Sequence, residues 1–281
     1  MSNPPTNPTP SNNSVANADV TRLDFGKLGL PEYRNKFAIV IDNLFSAEDC
    51  QRFLRAAESE HNGPKRHIVG RISGPENQRV NLYSRMHLIM FLNQNMTKKF
   101  RDSSRIILDS PTLASELFVR IKPYLSSIEK LSKSPLHAQL ANGVTYLTDP
   151  PVKMIGFNER LRFLRYSPGQ FFRKHCEGNY HDPESDHISY YTLQLYLNDL
   201  PPEQGGSTRF WGSPRVSGEE APYIDVHPKL GRALVFEQLG LLHSGQDVLD
   251  NGEKYTIRAE LMYEVVKEEA EIVGDDDIAF E

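Results

Sequence analysis

The 281-residue chain has only two cysteines, Cys50 and Cys176, too few for a disulfide framework or a cysteine-based zinc site. Long hydrophobic runs are missing too. Stretches such as Phe37-Ala38-Ile39-Val40-Ile41 last a few residues, far short of the roughly 20 that cross a bilayer, so no membrane span is expected. Neither sign of charge dominates: 32 Lys and Arg stand against 37 Asp and Glu, a net charge of -5, which excludes a basic nucleic-acid arm. The opening Met-Ser-Asn-Pro-Pro-Thr lacks the basic and apolar regions of a targeting signal. Together with the two thiols, this leads to the expectation of an intracellular, reducing compartment, cytoplasmic or nuclear.

What is present suffices for a core. Apolar residues make up 38% and charged residues 25%, which excludes wholesale disorder. Residues 1–22, rich in Asn, Pro, Ser and Thr, are expected to be a disordered tail, and residues 265–281, with Asp275-Asp276-Asp277, a solvated acidic one. Residues 23–157 read as an N-terminal helical or mixed support region. Within it 37–42 is a β-type run, and Ser46 opens a helix with Asp49 at the capping-box position and Phe53, Leu54 and Ala57 on the buried face. Ser110-Pro111 opens a second helix carrying Leu113, Leu117, Ile121 and Leu125 at helical spacing. Residues 56–99 read as irregular; Lys65, Arg66, Arg71 and Arg79 there are expected on a solvated surface, without the aromatic interleaving of a nucleic-acid site.

From Arg160 the texture changes to short β runs at 161–166, 171–175, 188–197, 207–210, 223–226, 233–236 and 255–263. Pro168-Gly169, Pro201-Pro202, Gly205-Gly206, Gly231 and Asn251-Gly252 break them. That spacing predicts a mainly β (α+β) fold, a sandwich, barrel or jelly roll, with the upstream helices packed on its outer face.

His175-Cys176-Glu177 is the one H-x-[D/E] match. Nine histidines, each with a 37-in-281 chance of an acid two places on, give about 1.2 such matches by chance, so context must carry it. His175 and Glu177 end a β run, where residues i and i+2 point the same way while Cys176 points away. His243 follows a strand 68 residues later, and two imidazoles with one carboxylate form the facial set of non-haem Fe(II) oxygenases. Arg258 lies in the last strand, where a guanidinium needs an anionic partner; the plain alternative is a salt bridge to Glu260 or Glu237. His181, His187 and His227 lack partners at ligand spacing and read as surface imidazoles.

In order, Arg165-Tyr166-Ser167-Pro168-Gly169, His175-Cys176-Glu177, the segment from Thr192 to Asn198, Gly205-Gly206-Ser207-Thr208-Arg209-Phe210, the segment from Pro228 to Phe236, then His243 and Arg258 resemble the motif series of the Fe(II)- and 2-oxoglutarate-dependent dioxygenases of the prolyl 4-hydroxylase-like group. The resemblance covers residues 158–264 and implies a double-stranded β-helix, or jelly roll, with N-terminal supporting helices. It implies Fe(2+) on His175, Glu177 and His243, 2-oxoglutarate and O2 as co-substrates, and, by resemblance alone, L-ascorbate. Arg258 would pair with the distal carboxylate of 2-oxoglutarate, Tyr196 would donate to that carboxylate, Tyr166 stands where a second phenol often lies, and Thr208 is a fainter candidate for the pocket wall. The implied activity is hydroxylation of a protein (prolyl-type) or small-molecule substrate, with succinate and CO2 released. Glu177 departs from the family's usual Asp by one methylene, with Asp182 and Asp186 as nearby carboxylates in a polar, lid-like loop. The other reading is a weak or inactive jelly roll that binds a metal or a partner without turnover.

Overall fold

The computed structural model describes residues 18–62, 100–132, 148–214, 216 and 218–266. Residues 1–17, most of the segment expected to be irregular (with Lys65, Arg66, Arg71 and Arg79) and residues 267–281 lie outside them.

The strands, in chain order, are β1 (Asp19–Arg22), β2 (Ala38–Asp42), β3 (Arg101–Asp102), β4 (Ser104–Asp109), β5 (Lys130–Leu131), β6 (Val152–Phe157) and β7 (Arg160–Tyr166). They continue as β8 (Phe171–His175), β9 (Ile188–Tyr196), β10 (Thr208–Trp211), β11 (Tyr223–Val226), β12 (Ala233–Glu237), β13 (His243–Gly245) and β14 (Lys254–Val265). The α-helices among the described residues are α1 (Ala47–Asn62) and α2 (Pro111–Ile121).

The pairing is antiparallel and makes a sandwich of two sheets. The larger runs β1-β2-β12-β9-β14-β6-β5, with β7 joining β14 to β4; the smaller runs β11-β10-β13-β8-β3. β14 is long enough to serve several neighbours: β9 along one side, β7 and then β6 along the other, with a register shift at Met262/Tyr263. This curled, mostly β arrangement is the jelly-roll class read from the sequence.

Alternation along each strand sorts side chains between two cores. Ile39 and Ile41 of β2, Val235 of β12 and Leu193 and Leu195 of β9 turn outward, onto Phe53 and Ala57 of α1 and Leu117 and Ile121 of α2. Ala38, Val40, Leu234 and Phe236 turn inward, onto Phe210 and Leu241. β12 is buried on both faces, and its first four residues, Ala-Leu-Val-Phe, are apolar accordingly.

The expected caps form. Ser46 N–H donates to Asp49 Oδ2 at 3.1 Å, and Asp49 N–H returns a bond to Ser46 Oγ at 3.1 Å. Ser110 Oγ accepts from Leu113 N–H at 3.3 Å, with Pro111 in the first turn. α2 gives way after Ile121 to a 3-10 turn containing Pro123, which has no N–H to donate to Val119 O and so cannot continue the i to i−4 ladder.

Three boundaries differ from the sequence reading. Asp19–Arg22, expected in the disordered tail, form an exposed edge strand on β2, where backbone pairing substitutes for buried side chains. α1 runs on to Asn62, past the point where irregular chain was expected, and β14 runs into the expected acidic tail, to Val265. The larger sheet also ignores the boundary at residue 158: β1, β2, β4, β5 and β6 precede it yet pair into the same sheet. The upstream region is therefore part of the sandwich as well as its helical support. No helix among the described residues is long and apolar enough to cross a membrane.

Candidate functional site

Between the sheets lies a cavity of about 170 Å3, walled by Tyr166, His175, Glu177, Thr208, His243 and Lys254, among others. Its centre is built by the small sheet. β13 pairs with β8 so that His243 stands directly opposite His175, their ring centroids 4.2 Å apart. Each ring is oriented from behind by a backbone carbonyl. His175 Nδ1 lies 2.7 Å from Arg173 O and His243 Nδ1 2.9 Å from Leu241 O, which places the proton on Nδ1 and leaves both Nε2 atoms as free lone pairs. His175 Nε2 is buried without a hydrogen-bond partner, an orphaned acceptor that needs a ligand.

Glu177 supplies the third donor. Two residues beyond His175, its Oε1 lies 3.8 Å from Nε2 of both histidines, and the three ligand atoms fall within 4.8 Å of one another. Burial pushes its carboxyl up. The Arg258 guanidinium opposes that, and the carboxyl lies well below the usual carboxylate range. Burial lowers His175, with Glu177 opposing. Two imidazole Nε2 atoms and a carboxylate on one face suit a divalent cation such as Fe(II), with the remaining positions open.

Arg258 differs from its expected role. Both carboxylates it meets belong to the protein: Nε and Nη2 grip Glu177 Oε1 and Oε2 at 2.9 and 2.6 Å, and Nη1 bonds Glu260 Oε1 at 2.7 Å. Arg162 closes on Glu260 from the other side at 2.5 Å. An alternating chain Arg162, Glu260, Arg258, Glu177 thus runs across β7 and β14 to the histidine pair. The plain alternative of a Glu260 salt bridge is present; Glu237 is held instead by Lys36 at 2.6 Å.

Tyr196 also differs. It is fully buried in the inter-sheet core, is not among the cavity's lining residues, and its hydroxyl donates to Thr208 Oγ1 at 2.7 Å, so its one proton is already engaged. Thr208 and Tyr166 both reach the wall. Asp182 and Asp186 stay in the polar loop: Asp182 accepts from Ser185, and Asp186 lies 2.6 Å from His181 Nε2.

The sequence reading passed over Lys254. It is 3% exposed on the cavity wall, its Nζ donates to Gly206 O at 2.7 Å, and among the described residues no carboxylate faces it. The groups around it are the phenol rings of Tyr166 and Tyr196, 5.3 and 5.6 Å from Nζ. Burial alone lowers it to about 7. Strand parity was the available signal, since residues 254, 256 and 258 share a face. Thr256, between them, keeps a buried hydroxyl without a hydrogen-bond partner. The Gly205-Gly206 turn aims the carbonyl at Lys254, and both glycines have positive φ, 72° and 70°, where a side chain would be strained.

Residues 161–259 match the family model described as the 2OG-Fe(II) oxygenase superfamily. Similar solved structures include the 2OG complex of a viral collagen prolyl hydroxylase from Paramecium Bursaria Chlorella virus-1, at 17% identity over 80% of this chain and 95% of that one, TM-score 0.43. Another is a Pseudomonas putida prolyl-4-hydroxylase, at 16% identity over 85% and 95%, TM-score 0.43. A third is a Trichoplax adhaerens prolyl hydroxylase with a hypoxia inducible factor peptide fragment, at 13% identity over 85% of each chain, TM-score 0.43. Likenesses at this level add nothing about chemistry. No curated protein matches.

Proposed function

We propose that the chain is an Fe(II)- and 2-oxoglutarate-dependent dioxygenase, a hydroxylase acting on a protein (prolyl-type) or small-molecule substrate. The observation that carries this is the convergence of His175, Glu177 and His243 with both Nε2 atoms bare and the carboxylate ionised. When bound, iron and 2-oxoglutarate supply the O2 activation, with succinate and CO2 as co-products.

The chain's own residues supply binding and orientation. Backbone carbonyls fix the imidazole tautomers, and Arg258 holds Glu177 ionised and aimed at the histidines. Lys254, a buried cation on the cavity wall with no carboxylate partner among the described residues, takes the role first expected of Arg258 and anchors the distal carboxylate of 2-oxoglutarate. Tyr196 acts as a strut that holds Thr208 on the wall. One observation favours the second reading, a site that binds without turnover: both oxygens of Glu177 already lie in the Arg258 fork.

Anaerobic addition of Fe(II) and 2-oxoglutarate separates the two. A visible charge-transfer band in the parent that is lost in Glu177→Ala supports the oxygenase site. No band in the parent, with one in Glu177→Asp, means that the extra methylene has handed the carboxylate to Arg258 and turns the assignment to the second reading.

A further inference from the structure

With the alternating chain closed and Lys254 given to the co-substrate, two cations on the cavity wall have no ion pair among the described residues: Arg101 and Arg105. Arg105 on β4 stands opposite Leu164 of β7, itself a cavity residue, so the two side chains share a face. Among the described residues Arg105 makes no hydrogen bond or ion pair, although it is only partly exposed. Burial and the guanidiniums of Arg101, Arg162, Arg258 and Arg160 pull it down to about 10, the mark of an unrelieved positive field. Arg101 lies next to the metal site. Its guanidinium sits 5.0 Å from the Phe172 ring centroid, and Phe172 stacks on His175 at 3.7 Å. Its Nε bonds only Ser103 Oγ, at 2.9 Å, leaving the terminal nitrogens free to donate.

Like charges gathered in a partly desolvated cavity are unfavourable unless an anion sits between them. 2-Oxoglutarate does not relieve this pair, because a bound Fe(II) and Lys254 carry three positive charges against its two negative ones, so none is left over for the arginines. We propose that Arg101 and Arg105 form a second anion subsite, which holds a carboxylate or phosphate of the substrate beside the histidine pair. The two arginines share the cavity wall with the histidine pair, so the substrate class this subsite fits carries its acidic group close to the position that is oxidised. This rests on the dioxygenase reading.

The test is calorimetric titration of the full chain, loaded with Mn(II) and saturated with 2-oxoglutarate, using inorganic phosphate and propionate at fixed ionic strength. The expected result is saturable binding of at least one of them, weakened about tenfold or more in Arg101→Gln and Arg105→Gln, with 2-oxoglutarate affinity unchanged and binding partly restored in Arg105→Lys. The stronger probe tells carboxylate from phosphate. Absence of binding to the parent, or equal binding to the Gln variants, overturns the subsite. So does weaker 2-oxoglutarate binding in Arg105→Gln with displacement of the probe, which would assign the arginines to the co-substrate. If the parent takes up neither Mn(II) nor 2-oxoglutarate, the dioxygenase reading fails by itself. The same titration on the protein alone then decides the subsite, since arginine-dependent binding supports it and its absence overturns it.

Discussion

Replacing Lys254 with methionine, close in shape but uncharged, is expected to stabilise the fold while destroying co-substrate binding. Burial lowers the ammonium from its usual 10.5 to about 7. At about 1.4 kcal/mol per pH unit, the charged form carries a penalty on the order of 4 kcal/mol at pH 7. The methionine variant escapes it but leaves Gly206 O without the Nζ donor, a loss of about 1–2 kcal/mol. The net gain is about 2–3 kcal/mol, or roughly 5–10 °C in Tm. Because the folded pKa is lowered, the penalty is fully present below about pH 7 and fades as pH rises towards 10.5. The Tm advantage should shrink over the same window. Thermal scans from pH 6 to 10 measure this, and calorimetry with 2-oxoglutarate should show affinity reduced about a hundredfold or more, for a charge-assisted contact in a dry site. A lower Tm in the variant would refute the unpaired burial, and unchanged 2-oxoglutarate affinity would remove Lys254 from the co-substrate site. In the parent, that affinity should fall as pH rises through about 7, with proton uptake on binding.

Other substitutions probe the frame around the site. Arg258→Gln takes the guanidinium from Glu177 and Glu260; Mn(II) affinity by calorimetry should fall about tenfold or more, as for other groups that orient a ligand, and a rise would make Arg258 a competitor of the metal. Gly231→Ala should cost about 3 kcal/mol or more by urea unfolding, since φ is +71° and the new Cβ would stand 1.9 Å from Phe45 O; a change within ±0.5 kcal/mol would contradict that crowding. Ser46→Ala removes one half of the α1 capping box and should cost about 1 kcal/mol in the same assay, with 2-oxoglutarate binding unaffected.

Local periodicity made much of this protein legible. Strand alternation and turn residues placed β8, β11 and the body of β9, β12 and β14, because those signals come from neighbours in the chain. The i, i+2 relation put His175 and Glu177 on one side. Sequence could not decide what each charge meets, because that depends on which strands lie side by side. The pairing of β14 with β7 and β9 sets Arg258 between Arg162 and Gln194 and hands it to Glu177 and Glu260, leaving Lys254 and the arginines of β3 and β4 facing the cavity without counter-charges among the described residues. The upstream strands escaped for the same reason. β1 and β4 lack a clean alternation of buried and exposed residues, and the place of β1, β4 and β6 in the sandwich follows from long-range backbone pairing that no local pattern encodes.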